Sequence, residues 1–229
     1  MYAKYIKRIL DLILSLMALI VLMPLMIIIG ILVRINLGSP IIFKQKRPGK
    51  NEKIFTLYKF RTMTDKRDID GNLLPDEYRL TKFGKFLRST SLDELPELIN
   101  IIKGDMAIVG PRPQLIKDML FMTKEQRRRH SVRQGLTGLA QISGRNNISW
   151  EKKINYDLKY IDRVTFYGDL KIILKTVEKV FKKEDIETEG METAEDLCDY
   201  LLRTEKISKE EYEEKLKYDK ERIWIRQRN

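Results

Sequence analysis

The sequence predicts an α/β protein, mostly helical and monotopic on a membrane, held by a re-entrant N-terminal helix. Three observations carry that reading. Residues 9–33, ILDLILSLMALIVLMPLMIIIGILV, are apolar apart from Asp11 and the interruptions at Ser15 and Gly30. Basic residues flank this run on both sides. Beyond it, short strand patterns alternate with amphipathic helical ones, forming a small sheet with interfacial helices, and the chain closes on a charge-dense helical tail. The expected divisions are an anchor over 1–36, a catalytic-size domain over 37–186 and an extension over 187–229.

The anchor comes first. At about 1.5 Å per residue the apolar run is long enough for a hydrocarbon core of ~30 Å. Pro24, near its middle, removes an internal hydrogen bond and predicts a kink. Lys4, Lys7 and Arg8 precede the run, and Arg34, Lys44, Lys46 and Arg47 follow it. Positive residues stay on the cytoplasmic side. A helix that enters and leaves by that side satisfies the rule at both ends, so the N-terminus is expected to be cytoplasmic.

The following elements read in order. IIFKQKRPG and KIFTLYKFRTM form two strands around a Pro-Gly turn. TDKRDIDGNLLPDE is a polar loop with an Asp70-Gly71 turn. Helix resumes at Tyr78, where Leu80, Phe83 and Leu87 share a face between Lys82, Lys85 and Arg88. A further helix runs from Asp93 to about Lys103, with Gly104 as its stop. AIVGPRPQ is a strand entering a proline-braced turn, GLTGLAQISGRN a loop and strand, and Ser149 opens another helix. In TFYGDLKIILKTVEKVFKK, Leu170, Ile173, Leu174, Val177 and Phe181 fall on one side, ringed by Lys171, Lys175, Lys179 and Lys182. That pattern suits a surface of anionic phospholipid. The tail reads as two short helices joined near Lys206, the second starting at Ser208-x-x-Glu211. It is expected to be either a solvated extension or a homo-oligomer contact.

Composition narrows the chemistry. Lys+Arg 44 against Asp+Glu 33 gives +11, which favours anionic partners. A single cysteine, Cys198, excludes an intrachain disulfide, and a single histidine argues against zinc catalysis or a Ser-His-Asp triad. His130, in RRRHSVR, reads as a solvated surface residue. The chain has no Walker A or G-x-G-x-x-G stretch, and no motif for nucleic acid. Chemistry is left to carboxylates and basic groups.

LRSTSLDELPEL, residues 87–98, sets Asp93 and Glu94 side by side behind Arg88. One reading is a capping box from Ser91 to Glu94; the other is a catalytic pair at a helix mouth. Lys59, Arg61, Arg88, Arg112 and Arg145 recur beside turns and element ends, as a multi-phosphate ligand requires.

The stretches IKRILDLILSL, IIFKQKRPG, FTLYKFRTM, LRSTSLDELPELINIIKGDMAIVGPRP, LTGLAQISGRN and YDLKYI, in this order, resemble the small monotopic phosphoglycosyl transferases of the bacterial sugar transferase family. The resemblance runs from Met1 to about Glu189 and leaves the tail outside. It implies a UDP-sugar and undecaprenyl phosphate as substrates, Mg²⁺ as cofactor, and the bacterial cytoplasmic membrane, with the catalytic domain on its cytoplasmic face. It implies Asp93 as the nucleophile on the sugar-bearing phosphate and Glu94 as metal ligand or orienting group, both carboxylates serving the metal. Lys59, Arg61, Arg88 and Arg112 become phosphate contacts, and Arg145 and Asp157 nucleotide-sugar contacts. The chain departs from the family pattern at Met23 before Pro24, where serine is frequent, at Gln134, where proline is usual, and at Leu139, where tryptophan is common. AQISGRNNISWEKK is similar to members using N-acetylated or diacetamido sugars. The competing classes are a lipid-linked glycosyltransferase that releases UDP and a non-enzymatic basic membrane-surface protein.

Overall fold

A computed structural model describes residues 1–144, 148–182 and 195–217. A π-helical turn, Tyr2–Ile6, leads into α1, Lys7–Leu37, which continues through Pro24 as one helix. The hairpin β1 (Ile42–Pro48) and β2 (Ile54–Phe60) is antiparallel, with Lys59 opposite Phe43. Then come α2 (Asp76–Arg79), α3 (Lys82–Ser89), a 3₁₀ turn at Leu92–Glu94, and α4 (Glu97–Lys103). β3 (Met106–Val109) pairs in parallel with β4 (Gln134–Thr137), across α5 (Ile116–Phe121), α6 (Lys124–Arg127) and a 3₁₀ turn at Arg128–Ser131. The chain continues with α7 (Leu139–Ile142), α8 (Trp150–Asp162), α9 (Phe166–Lys182) and α10 (Leu197–Arg203), and residues 209–217 are again helical.

Most predicted elements form where local chemistry demands them. Gly104 ends α4 in the left-handed region at φ 89, and Ser149 caps α8 through its hydroxyl. Ser208 accepts from the Glu211 amide, as its start signal requires. Several expectations change. The small sheet is two separate two-stranded pairs, because α4 and the anchor pack between the hairpin and β3. The helix expected from Tyr78 breaks at Leu80, which is extended, and restarts behind Thr81, whose hydroxyl accepts from the Gly84 amide. Residues 139–142 are helical, where a loop and strand were expected.

α1 lies along the domain. At its start, Lys7 pairs with Asp169 at 2.8 Å, and Arg8 donates to the Ile101 and Ile102 carbonyls at 2.6 and 2.9 Å. Asp11 accepts from the Ile108 amide at 3.1 Å. Midway, Ala18, Leu19 and Leu22 meet Phe55, Leu57 and Leu98; at its end Ile29, Val33 and Leu37 pack with Phe60 and Leu87. The opposite side stays apolar and bare, from Ile9 through Met17, Val21 and Ile28 to Ile35. Three of the flanking cations are therefore spent internally: Lys7, Arg8, and Arg47, which donates to Gln45 and the Pro113 carbonyl. Among the described residues α1 is the one helix long and apolar enough to cross a membrane.

α9 divides its apolar residues. Ile172 is buried and Ile173 packs beside Val109 and Tyr160, while Tyr167, Leu170, Leu174 and Val177 face outward beside Lys171 and Lys175. Phe181's side chain lies outside the described set. Over the described residues 195–217 the tail is not a solvated extension: Leu197 and Cys198 are buried with Phe121, Met122, Trp150 and Ile154. Its predicted start at 187 lies outside the described residues. His130 is buried too, only 2% exposed, because the 3₁₀ turn carries it inward with Arg129.

Candidate active site

The site forms where β2, the 3₁₀ turn, α4 and the loop after β3 converge. β2 buries Phe55 and Leu57 and brings Lys59 to the open end of the hairpin. Asn100 of α4 ties this edge down, accepting from the Tyr58 amide at 3.1 Å and donating to the Thr56 carbonyl at 2.7 Å. Ser91 sits in the left-handed region at φ 55, an unusual conformation for a non-glycine residue. It turns the chain from α3 into the segment bearing Asp93 and Glu94.

No capping box forms there. Ser91 makes no side-chain cap, and Glu94 reaches instead for two cations. Glu94 Oε1 accepts from Lys59 Nζ and from Arg112 Nη2, both at 2.6 Å. Lys59 Nζ also lies 3.2 Å from Glu97 Oε1 and 3.9 Å from Asp93 Oδ2. Arg88 adds its charge near Asp93, its Nε donating to Thr62 Oγ1 at 3.1 Å. Asp93 is 7% exposed and Glu97 2%.

These placements separate the carboxyls by protonation. Burial pushes Asp93 up to about 6 and Glu94's charge adds to this, against the pull of Lys59, Arg112 and Arg88. Burial also raises Glu97, to about 7, with Lys59 opposing and Glu94 reinforcing the rise. Burial alone would raise Glu94, but Arg112 and Lys59 overcome it and hold Glu94 well below the usual range. Burial thus favours the protonated form at Asp93 and Glu97, while Arg112 and Lys59 hold Glu94 as the anion. A buried carboxylate facing several cations is equipped to attack an anionic centre whose charge those cations offset.

The predicted residues divide. Lys59, Arg88, Asp93, Glu94 and Arg112 come together. Arg61 does not join them: it is 7% exposed, donates to the Met63 and Ser39 carbonyls at 2.7 and 2.6 Å, and pairs with Asp65, so it braces the chain after β2. Asp157 is 3% exposed and paired with Arg129 at 2.8 Å, which leaves it behind the site as a support. Arg145 lies outside the described residues. Glu97 and Arg129 were missed. Glu97 follows Glu94 at helical spacing in ELPEL, a usable signal; Arg129 sits in RRRH, where nothing local separates a buried arginine from exposed neighbours. Arg129 Nη2 donates to the Arg112 carbonyl at 2.6 Å, carrying Asp157's support to the site.

The chain matches the family model described as bacterial sugar transferase over residues 2–183. It is 56% identical over 163 residues to the uncharacterized sugar transferase EpsL of Bacillus subtilis, covering 71% of this chain and 81% of that one. It is 40% identical over 185 residues to a UDP-glucose:undecaprenyl-phosphate glucose-1-phosphate transferase of Klebsiella pneumoniae, covering 76% and 40%. It is 33% identical over 199 residues to an undecaprenyl-phosphate galactose phosphotransferase of Salmonella typhimurium, covering 80% and 42%. The chain spans most of EpsL but about two fifths of the other two relatives.

Proposed function

From the premise that this chain belongs to the bacterial sugar transferase family, we propose that it transfers a sugar 1-phosphate from a UDP-sugar to undecaprenyl phosphate, releasing UMP. The single observation that carries the reading is Asp93: a buried carboxylate faced by Lys59, Arg88 and Arg112, with Glu94 pinned as an anion beside it. The named activities of the Klebsiella and Salmonella relatives support the substrate pair.

In this mechanism a carboxylate oxygen of Asp93 attacks the sugar-bearing phosphorus. The bond from that phosphorus to the bridging oxygen breaks, and UMP leaves with the electron pair. An oxygen of the lipid phosphate then attacks the same phosphorus and frees the Asp93 carboxylate. Dividing one displacement into two keeps each nucleophile and its partner in a single pocket. Lys59 and Arg112 hold Glu94 in place and offer their remaining donors to phosphate oxygens, with Arg88 completing the cationic wall.

Mg²⁺ suits these residues. Among the described residues no three His, Cys, Asp or Glu close a metal cage, but magnesium is commonly held by one or two carboxylates and the substrate's phosphates. Asp93 and Glu94 offer hard oxygens, and Lys59 and Arg112 both contact Glu94 through Oε1. When bound, the ion would offset phosphate charge.

The protein is membrane-associated, and the packing of α1 supports a re-entrant placement, while Lys4 before it and Arg34, Lys44 and Lys46 after it support the cytoplasmic face. Arg8 and Leu37, near its two ends, rest on the same domain. A crossing helix would carry part of that domain through the bilayer, whereas a helix dipped from one side exposes only its bare apolar face to lipid.

The test is nucleotide release from purified protein in nanodiscs, given Mg²⁺, undecaprenyl phosphate and a panel of UDP-sugars. UMP release with one donor is the expected result, and Asp93→Asn is expected to abolish it while membrane association persists. UDP release would transfer the protein to ordinary glycosyl transfer; near-normal activity of Asp93→Asn would refute the covalent step.

A further inference from the structure

Residues 195–217 lie beyond the 2–183 span of the family match, yet they are built into the domain. Their attachment converges on one carboxylate. Asp118, only 1% exposed, accepts from the Leu115 amide through Oδ2 at 3.2 Å and from the Leu197 amide through Oδ1 at 2.9 Å. The first bond closes the start of α5; the second caps the start of α10. Lys117, the neighbouring residue, pairs with Asp196 at 2.7 Å and lies 3.5 Å from Asp199. The Trp150 indole donates to the Glu195 carbonyl at 3.1 Å, so the same stretch of tail also holds the opening of α8.

Asp118 stands six positions after Arg112 and holds the far end of the segment GPRPQL, residues 110–115, through the Leu115 amide. The near side of that segment is held at the Arg112 carbonyl by Arg129 and at the Pro113 carbonyl by Arg47. Two of its residues are prolines, Pro111 and Pro113, which fix φ and pass a constraint along the backbone. Arg112's side chain, 41% exposed, must keep its fork on Glu94 at 2.6 Å from this segment. An anchored end on each side restricts where that fork can go.

We propose that Asp118 is a positioning residue for Arg112, and that the tail acts as an intramolecular clamp by supplying Asp118's second partner, the Leu197 amide. The clamp rests on the phosphate-transfer reading for its kinetic consequence, but not for its structural one. A carboxylate is required because both partners are N–H donors. Asparagine offers an acceptor to only one of them and sets its own N–H₂ against the other. With the bridge lost, the tail end of the segment relaxes, and small displacements of a phosphate-binding group lower the rate steeply.

The experiment uses the full chain in nanodiscs and the UDP-sugar that releases UMP. Asp118→Asn is expected to lower kcat/KM by about tenfold while cooperative melting and membrane association are retained. The deciding comparison is a double-mutant cycle with Arg112→Lys, which keeps the charge and loses the fork. If Asp118 acts through Arg112, Asp118→Asn lowers kcat/KM little further in the Arg112→Lys background. Parental kcat/KM in Asp118→Asn, or the same full loss in both backgrounds, overturns the proposal. Should Asp118→Asn fail to fold, Leu197→Pro removes the N–H on that side, and Leu197→Ala controls for the buried leucine side chain lost with it. Leu197 falls at the first position of α10, where proline is tolerated, after an extended Asp196 at ψ 157. Hydrogen exchange of residues 110–116 reads the clamp without activity: exchange about tenfold faster in Asp118→Asn is expected, and unchanged exchange overturns it. A parental enzyme that releases no UMP, yet shows this change in exchange, would defeat the functional reading and leave the clamp standing.

Discussion

Replacing Lys59 by methionine should move the pH at which the enzyme switches on. The ammonium lies 3.9 Å from Asp93 Oδ2 and contacts Glu94 and Glu97 at 2.6 and 3.2 Å. A unit charge at 3.9 Å is worth about 1 kcal/mol at the permittivity of water and about 4 kcal/mol at an effective value of ~20. At about 1.4 kcal/mol per pH unit, the Asp93 carboxyl should rise by roughly 1 to 3 units in Lys59→Met. The sign is set by burial, which already holds Asp93 at about 6, with Lys59 the first force opposing it. The nucleophile is the ionised form, so the acid limb of the rate profile, near pH 6 in the parent, should climb with it. A rise of about 2 units lowers the ionised fraction at pH 7 by about tenfold, and raising the pH to about 9 should restore most of that loss. The plateau itself should stay below the parent's, because a phosphate-binding cation is gone. The assay is UMP release between pH 5 and 9.5, reported as kcat/KM. An acid limb that stays put, or moves down, would refute the assignment of the ionisation to Asp93 beside Lys59.

Other perturbations address the frame of the site. His130 is neutral in the fold, burial and then Arg129 lowering it to about 4. Its contribution is present above its ordinary value of ~6.5 and is lost as pH falls from there towards 4, a few kcal/mol in all; His130→Gln should flatten that part of a melting-temperature profile, and an unchanged slope would count against it. Gly84→Ala would put a methyl 1.9 Å from the Thr62 carbonyl oxygen, so α3 must move; melting should fall by about 5 °C or more, and UMP release should drop because Arg88 rides on the same helix. Leu174→Glu, at a position 62% exposed on α9, should weaken binding to anionic vesicles in flotation while leaving the melt unchanged; undiminished flotation would remove α9 from the membrane surface.

Much of this protein was determined along the chain. The anchor, the hairpin, the stops and starts at Gly104, Ser149 and Ser208, and the pairing of Asp93 with Glu94 were all legible, because each depends on residues a few positions apart. The family motifs brought Lys59, Arg88 and Arg112 to the same place. Tertiary structure alone decided which charges were available for chemistry. Arg61, Arg88 and Arg112 look alike in sequence, yet Arg61 is consumed by backbone carbonyls while Arg112 grips Glu94. Arg129 and His130 look like surface residues and are buried, since a 3₁₀ turn carries them inward and sets Arg129 against the Arg112 carbonyl. The tail's charge density concealed Leu197 and Cys198 at the centre of a core. These outcomes depend on desolvation and on partners well separated along the chain, from Glu94, 18 residues before Arg112, to Asp118, 79 before Leu197, which composition and spacing do not encode.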